Sequence, residues 1–217
     1  MGLLSLEQLV VLEKRVDLAR LSLNLLANYY EKYLMKHTYR FELENGVLMD
    51  LKFSKKDFCH LTGVQQLVRN RQQADINKRG KTSINGFMYS GNEGFRRIKK
   101  NKFDFSHLKG MHSTYYKNKF EKEEKCNFFH LIHRLLESDN VKVVDFVGLS
   151  DSDVTCEFIF HDEYDNALLH LGVEKDSDKN HFFPRTFFVR YLNKADPDKF
   201  TKGRTLIEIK SKTIIES

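Results

Sequence analysis

The stretch KKDFCHLTGVQQL (Lys55–Leu67) sets a histidine, His60, in an otherwise apolar short turn behind two lysines. Imidazole titrates near neutrality, which makes His60 a candidate acid or base. The same residue also reads as a satisfied core histidine or as a metal ligand. Two other stretches carry groups suited to phosphate chemistry. In FPRTFFVR, Arg185 supplies a permanent bidentate cation and Thr186 a hydroxyl. In the terminal TLIEIKSKTII, Lys210 and Lys212 stand two apart and would share one face of a strand with Leu206, Glu208 and Ile214. On the FPRTFFVR strand, alternation groups Arg185 with Phe187 and Val189, and Thr186 with Pro184, Phe188 and Arg190. A sheet face with Arg and Thr on one strand and lysines on its neighbour is costly inside a core and suited to receiving phosphate. For any one of these residues alone, a solvated strand position is the simpler account.

Metal chemistry has less to build on. His130 and His133 in FFHLIHR stand three apart on an expected helix, with no third ligand in register. His107 and His112 flank Gly110 in HLKGMH, again without a further ligand. Asp151, Asp153, Asp162, Glu163 and Asp165 cluster in strand connections, where acidic residues are turn formers first. No GxxxxGK loop, Rossmann fingerprint or GxSxG elbow occurs, and neither a metal nor a cofactor is expected.

The charge is unevenly placed. Val141–Ser217 holds 11 Lys/Arg against 14 Asp/Glu, a net of −3, whereas Lys52–Lys122 holds 17 against 5, a net of +12. So dense a basic segment suits a polyanion partner or, more plainly, a lysine-rich solvated surface. Lys55, Lys56, Arg69, Arg71, Arg96, Arg97, Lys99 and Lys100 are its candidate RNA-binding residues. Cys59, Cys126 and Cys156 are isolated and odd in number, which fits a reducing cytoplasm. No apolar run reaches membrane-spanning length, and the opening residues lack the basic start of a signal peptide. A cytoplasmic protein without membrane association is expected.

These groups need elements to position them. Ser5, with Gln8 as capping-box partner, predicts one long helix to about His37, a brace or a homodimer face without chemistry of its own. Thr38–Phe53 alternates around Glu44-Asn45-Gly46 and predicts a β-hairpin. Ser54 is the expected cap of a short helix from Lys55, with Gly63 as its stop. A polar, glycine-punctuated stretch follows from Arg69 to Gly94, then helical pieces to Glu137. Val141–Val147, Val154–Phe160, Ala167–Val173, Phe182–Tyr191 and Thr205–Ile215 read as consecutive antiparallel strands. The expected fold is α+β: a long helix over 1–37, then a domain over 38–217. That domain has a basic helical middle at 54–140 and a meander of four to five strands at 141–217.

The order of long helix, hairpin, KF-x-K-x-x-F-x-HLTG, basic middle, FPRTFFV and IEIKSK resembles the fourth phage-associated branch of the barnase–EndoU–colicin–RelE-like (BECR) nucleases. Lys52-Phe53, Phe58, His60-Leu61-Thr62-Gly63, Pro184 to Phe188 and Lys210-Ser211-Lys212 carry the resemblance, which extends from Lys52 to about Thr213. It implies N-terminal helices packed on an antiparallel sheet and a metal-independent ribonuclease of phage or mobile-element origin, acting as a toxin or effector. By motif, it implies catalytic roles for His60, Arg185, Thr186 and one of Lys210 or Lys212. The chemistry would be attack of the 2′-hydroxyl on phosphorus, with a base, an acid and cations for the phosphorane charge. The implied partners are RNA and an antitoxin or host protein. The rival expectation is an inactive RNA- or protein-binding protein of the same origin, such as an inhibitor of host defence.

Overall fold

The structure is a computed structural model that describes residues 2–109, 123–146 and 155–216. Gly110, His112, Asp151 and Asp153 lie outside the described residues. The chain forms two compact units, one of Met1–Val11, Val16–Tyr30 and Lys55–His130, the other of Leu12–Arg15, Glu31–Ser54 and Leu131–Ser217.

The first unit is helical. Its opening helix α1 (Leu6–Val10) starts with the expected capping box, in which Gln8 N donates to Ser5 Oγ at 3.2 Å and Ser5 N to Gln8 Oε1 at 2.9 Å. The single helix expected to His37 does not form. Asp17 caps a separate 3-10 turn at Leu18–Arg20, and Ser22 caps α2 (Leu23–Tyr29), accepting from Leu25 N at 3.0 Å. The intervening Leu12–Arg15 instead belongs to the sheet unit, where Arg15 N donates to Asp165 at 3.1 Å and Glu13 pairs with Arg134 at 3.0 Å. Two internal N-cap residues and these tertiary bonds outweigh leucine periodicity.

Then come α3 (Phe58–Leu61), α4 (Val64–Arg79), a 3-10 turn (Gly86–Tyr89), α5 (Gly91–Lys99), α6 (Phe105–Lys109) and α7 (Glu123–Phe128). Asp57, not Ser54, stands at the N-cap of α3, and Gly63 at φ +79° ends it as expected. The polar stretch read as a short helix and loop holds the long α4, where only Val64, Leu67, Val68 and Asp75 are buried. Phe58 organises the core, its ring 5.3 Å from those of Tyr30 and Phe95 and 5.6 Å from that of Phe129.

The second unit holds β1 (His37–Leu43), β2 (Leu48–Lys52), α8 (Ile132–Glu137), β3 (Lys142–Asp145), β4 (Phe158–Tyr164), β5 (Ala167–Lys175), β6 (Phe182–Tyr191), β7 (Leu206–Ile207) and β8 (Ile209–Glu216). Among the described residues the sheet has eight strands in the order β7-β3-β4-β5-β6-β2-β1-β8, not four to five. Two features raise the count. The β1–β2 hairpin, turning at Gly46 (φ +83°), joins the meander through the parallel pair Leu51↔Phe182. The last strand breaks at Glu208, so β7 pairs with β3 while β8 pairs with β1. One short segment thus bridges both edges, and the sheet curls on itself. Its core face carries Tyr39, Phe41, Phe160, Leu169, Leu171 and Phe187, with the Phe41 and Phe160 rings 4.8 Å apart. Among the described residues no helix is long and apolar enough to cross a membrane.

Candidate active site

Along β6 the pairing with β5 shifts between Gly172 and Val173: Gly172 faces Thr186 and Val173 faces Pro184, leaving Arg185 as the extra residue of a β-bulge. Strict alternation would put Arg185 with the buried Phe187, but the bulge turns it to the outer face. There its Nε pairs with Glu174 Oε2 at 3.3 Å, and its Nη2 donates to Thr155 Oγ1 at 3.5 Å. Arg185 and Thr186 therefore share one face, contrary to the alternation read from sequence. Gly172 permits the close approach, since a Cβ there would lie 2.8 Å from Thr186 Cγ2 and 2.9 Å from Cys156 Sγ.

A second arginine joins them. The Arg204 guanidinium sits 4.4 Å from the centre of the Phe146 ring. Burial pushes the Cys156 thiol up to about 12, Glu174 adds to this, and Arg204 and Arg185 oppose it from nearby. Thr186 and Cys156 thus close around Gly172 on the face that also carries Arg185, and the Arg204 charge reaches the same thiol. Farther along, His170 is wholly buried, stacked on Phe188 at 4.5 Å and facing His161 at 5.9 Å, with Phe200 edge-on at 6.3 Å. Burial, helped by His161, holds the His170 pKa down to about 3, and burial also lowers that of His161. At neutral pH His170 is an uncharged ring within the outer-face cluster of Val144, Phe146, Cys156, Ile159, Phe188 and Phe200. Arg190 ties the overlying loop down through Nη2, donating to Ala195 O at 3.0 Å and Asp196 O at 2.8 Å.

The terminal lysines stand elsewhere. Lys212 faces the buried Phe41 in register, which puts it on the core side of the sheet. Its Nζ donates to Glu137 O at the C-terminus of α8 and pairs with Asp139 at 2.7 Å, a helix-capping arrangement. Lys210 is exposed and lines, with Ser138, Lys142, Ser211 and Lys212, a cavity of about 420 Å³ at the seam between β7 and β8. In the order β6-β2-β1-β8 this strand lies three places from Arg185 and Thr186. The structure brings Arg185 and Thr186 together but does not put the terminal lysines beside them.

His60 lies on the helical unit. Between Phe58 and Gly63 it alone is not buried. The rest of the motif is structural: Thr62 Oγ1 donates to Phe58 O at 2.9 Å, and burial raises the Cys59 thiol to about 12. The candidate RNA-binding residues divide in two. Lys55, Lys56, Arg69 and Lys100 are exposed and Arg97 is half-buried. Arg71 is paired with Asp75 at 3.2 Å, Arg96 grips Glu93 through bonds of 2.8 and 2.6 Å, and Lys99 donates to Asn28 Oδ1 at 2.6 Å. His130 and His133 are buried, His133 lying 5.9 Å from the Tyr33 ring. Among the described residues no three His, Cys, Asp or Glu side chains gather where they could hold a metal. The sequence reading missed Arg204, His161 and His170. Alternation on β5 does put His170 on the Gly172 face, whereas nothing in the local KGRT marks Arg204.

The family model described as phage-Barnase-EndoU-ColicinE5/D-RelE like nuclease 4 matches residues 23–217. No curated protein and no solved structure matches the chain.

Proposed function

The chain belongs to this phage-associated nuclease family, and we propose that it is a metal-independent endoribonuclease, a toxin or effector acting on RNA in a host cytoplasm. The observation that carries the reading is the bulge on β6, which sets Arg185 and Thr186 on one face, with the charge of Arg204 reaching the neighbouring Cys156. Two guanidinium groups can hold the non-bridging phosphate oxygens and stabilise the phosphorane charge, and Thr186 supplies a hydroxyl donor. In the proposed reaction a base takes the 2′-hydroxyl proton and the 2′-oxygen attacks phosphorus. The 5′-oxygen then leaves with a proton, and a 2′,3′-cyclic phosphate remains. His60 is assigned one of these proton transfers, on its motif and on being the half-buried member of an otherwise buried turn. Lys212 is assigned the capping of α8 rather than catalysis, and Lys210 a charge near the seam cavity.

The product chemistry tests this reading. Cleaved RNA should carry 2′,3′-cyclic phosphate ends, and a single 2′-deoxy substitution at the cut position should block cleavage there. Cleavage of the deoxy-substituted strand, or 5′-phosphate products, would refute it. Salt-sensitive RNA binding without any cleavage would favour the binding-protein alternative.

A further inference from the structure

On the helical unit, the 3-10 turn Gly86–Tyr89 presents apolar side chains to solvent instead of to the core. Phe87 is 70% exposed, Met88 38%, and Ile76 on the adjoining α4 42%. The turn is held firmly from both sides. Gln72 Nε2 on α4 donates to Ile84 O at 3.0 Å, and a Cβ on Gly86 would lie 2.8 Å from Gln72 Oε1. On α5, a Cβ on Gly94 would lie 2.8 Å from the Tyr89 carbonyl carbon. Tyr89 turns inward, its ring 4.9 Å from that of Phe103, while Phe87 turns out. An aromatic ring fixed on a clamped turn has lost little freedom that binding would otherwise cost.

Its surroundings are cationic. By helical spacing the Gln72 face of α4 also carries Arg69, Ile76 and Arg79, and Lys81 follows just past the helix end at Gly80. Arg69, Arg79 and Lys81 are all exposed. Between Val64 and Lys102 the chain has 10 Lys/Arg against 2 Asp/Glu. Both acids are already engaged, Asp75 by Arg71 and Glu93 by Arg96. Within this segment a polyanion meets cations and no unpaired carboxylate.

We infer that Phe87 is a stacking platform for a base of single-stranded nucleic acid, with Arg69, Arg79 and Lys81 on the flanking phosphates. The combination of π-face and cationic rim is what sequence-tolerant single-strand binding uses. Charge complementarity favours a nucleic acid over an apolar protein partner or a second copy of the chain. This rests on the ribonuclease reading and deepens it by naming where a base of the substrate strand is held.

The experiment is fluorescence anisotropy with a labelled single-stranded DNA, which lacks the 2′-hydroxyl and is not consumed by the proposed chemistry. Wild type is compared with Phe87→Ala, Phe87→Tyr and an Arg69/Arg79/Lys81→Gln variant, each checked by thermal melting. Phe87→Ala should weaken binding by about 5- to 100-fold, and Phe87→Tyr should retain it. The triple variant should flatten the salt dependence by about 0.7 in log–log slope per cation removed. Equal binding by Phe87→Ala and wild type would overturn the inference, as would a Phe87-dependent dimer in sedimentation that binds DNA as well as the Phe87→Ala monomer. DNA binding that depends on Phe87 in a protein that never cleaves RNA would sustain this inference while sinking the ribonuclease reading.

Discussion

Arginines meet aromatic rings on the outer face of β6, and cations surround an aromatic on the α4 turn, but the two regions hold their charges differently. Arg185 is tied to Glu174, Arg190 to two loop carbonyls, and Arg204 lies over Phe146. Arg69, Arg79 and Lys81 are exposed and, among the described residues, enter no ion pair. Tethered cations need no reorganisation when charge develops on a phosphate, which is what lowers a barrier. Solvated cations release counterions on binding and so give affinity that salt erodes. The difference suggests a division of labour, with phosphate charge stabilised on the sheet unit and salt-sensitive strand affinity supplied by the helical unit.

Substitutions can break that division, and the largest effect is expected at the bulge. Arg185→Ala should cut RNA cleavage by about 10²- to 10³-fold while changing single-strand affinity little, read as rate against anisotropy. A parallel loss of both would dissolve the contrast. Next in size is the acid response of the outer face. His170 stays neutral in the folded protein down to about 3, whereas the unfolded chain takes up that proton below about 6.5. Its contribution is therefore intact above about pH 6.5 and lost as pH falls. Between pH 7 and pH 5 this amounts to about 2 kcal/mol, with His161 acting in the same direction. Urea melts of wild type and His170→Leu should diverge in pH slope, the variant being the flatter. Parallel slopes would show that His170 is not buried neutral.

Gly172→Ala presses a methyl group against Thr186 and Cys156. It should cost about 1–3 kcal/mol in chemical denaturation and lower the cleavage rate of the protein that remains folded. Lys212→Ala should have the smallest effect, about 0.5–1 kcal/mol from the lost cap on α8, with cleavage per folded molecule unchanged. A large loss of activity there would return the terminal lysine to the catalytic set.

The sequence carried the hairpin at Asn45-Gly46, the stop at Gly63 and the meander, because each has a local cause in turn chemistry or side-chain alternation. It did not carry the break in the first helix, where caps at Asp17 and Ser22 competed with a stronger leucine pattern. Nor did it carry the sheet closure, which depends on pairing between residues far apart, such as Val143 with Ile207 and Tyr39 with Ile214. Arg185 and Thr186 were legible as residue types, but their shared face was not, since a bulge is a property of two strands together. Lys212 was legible as a cation but its bond to the end of α8 was not, because a lysine that caps a helix and one that binds phosphate look alike in sequence.

The central claim is tested most directly by RNA cleavage in excess EDTA, with wild type, His60→Ala and Arg185→Ala assayed side by side. Wild type should cut at full rate, and each variant should fall by at least about 100-fold with its fold intact. Cleavage that EDTA abolishes, or two variants that cut as fast as wild type, would contradict it.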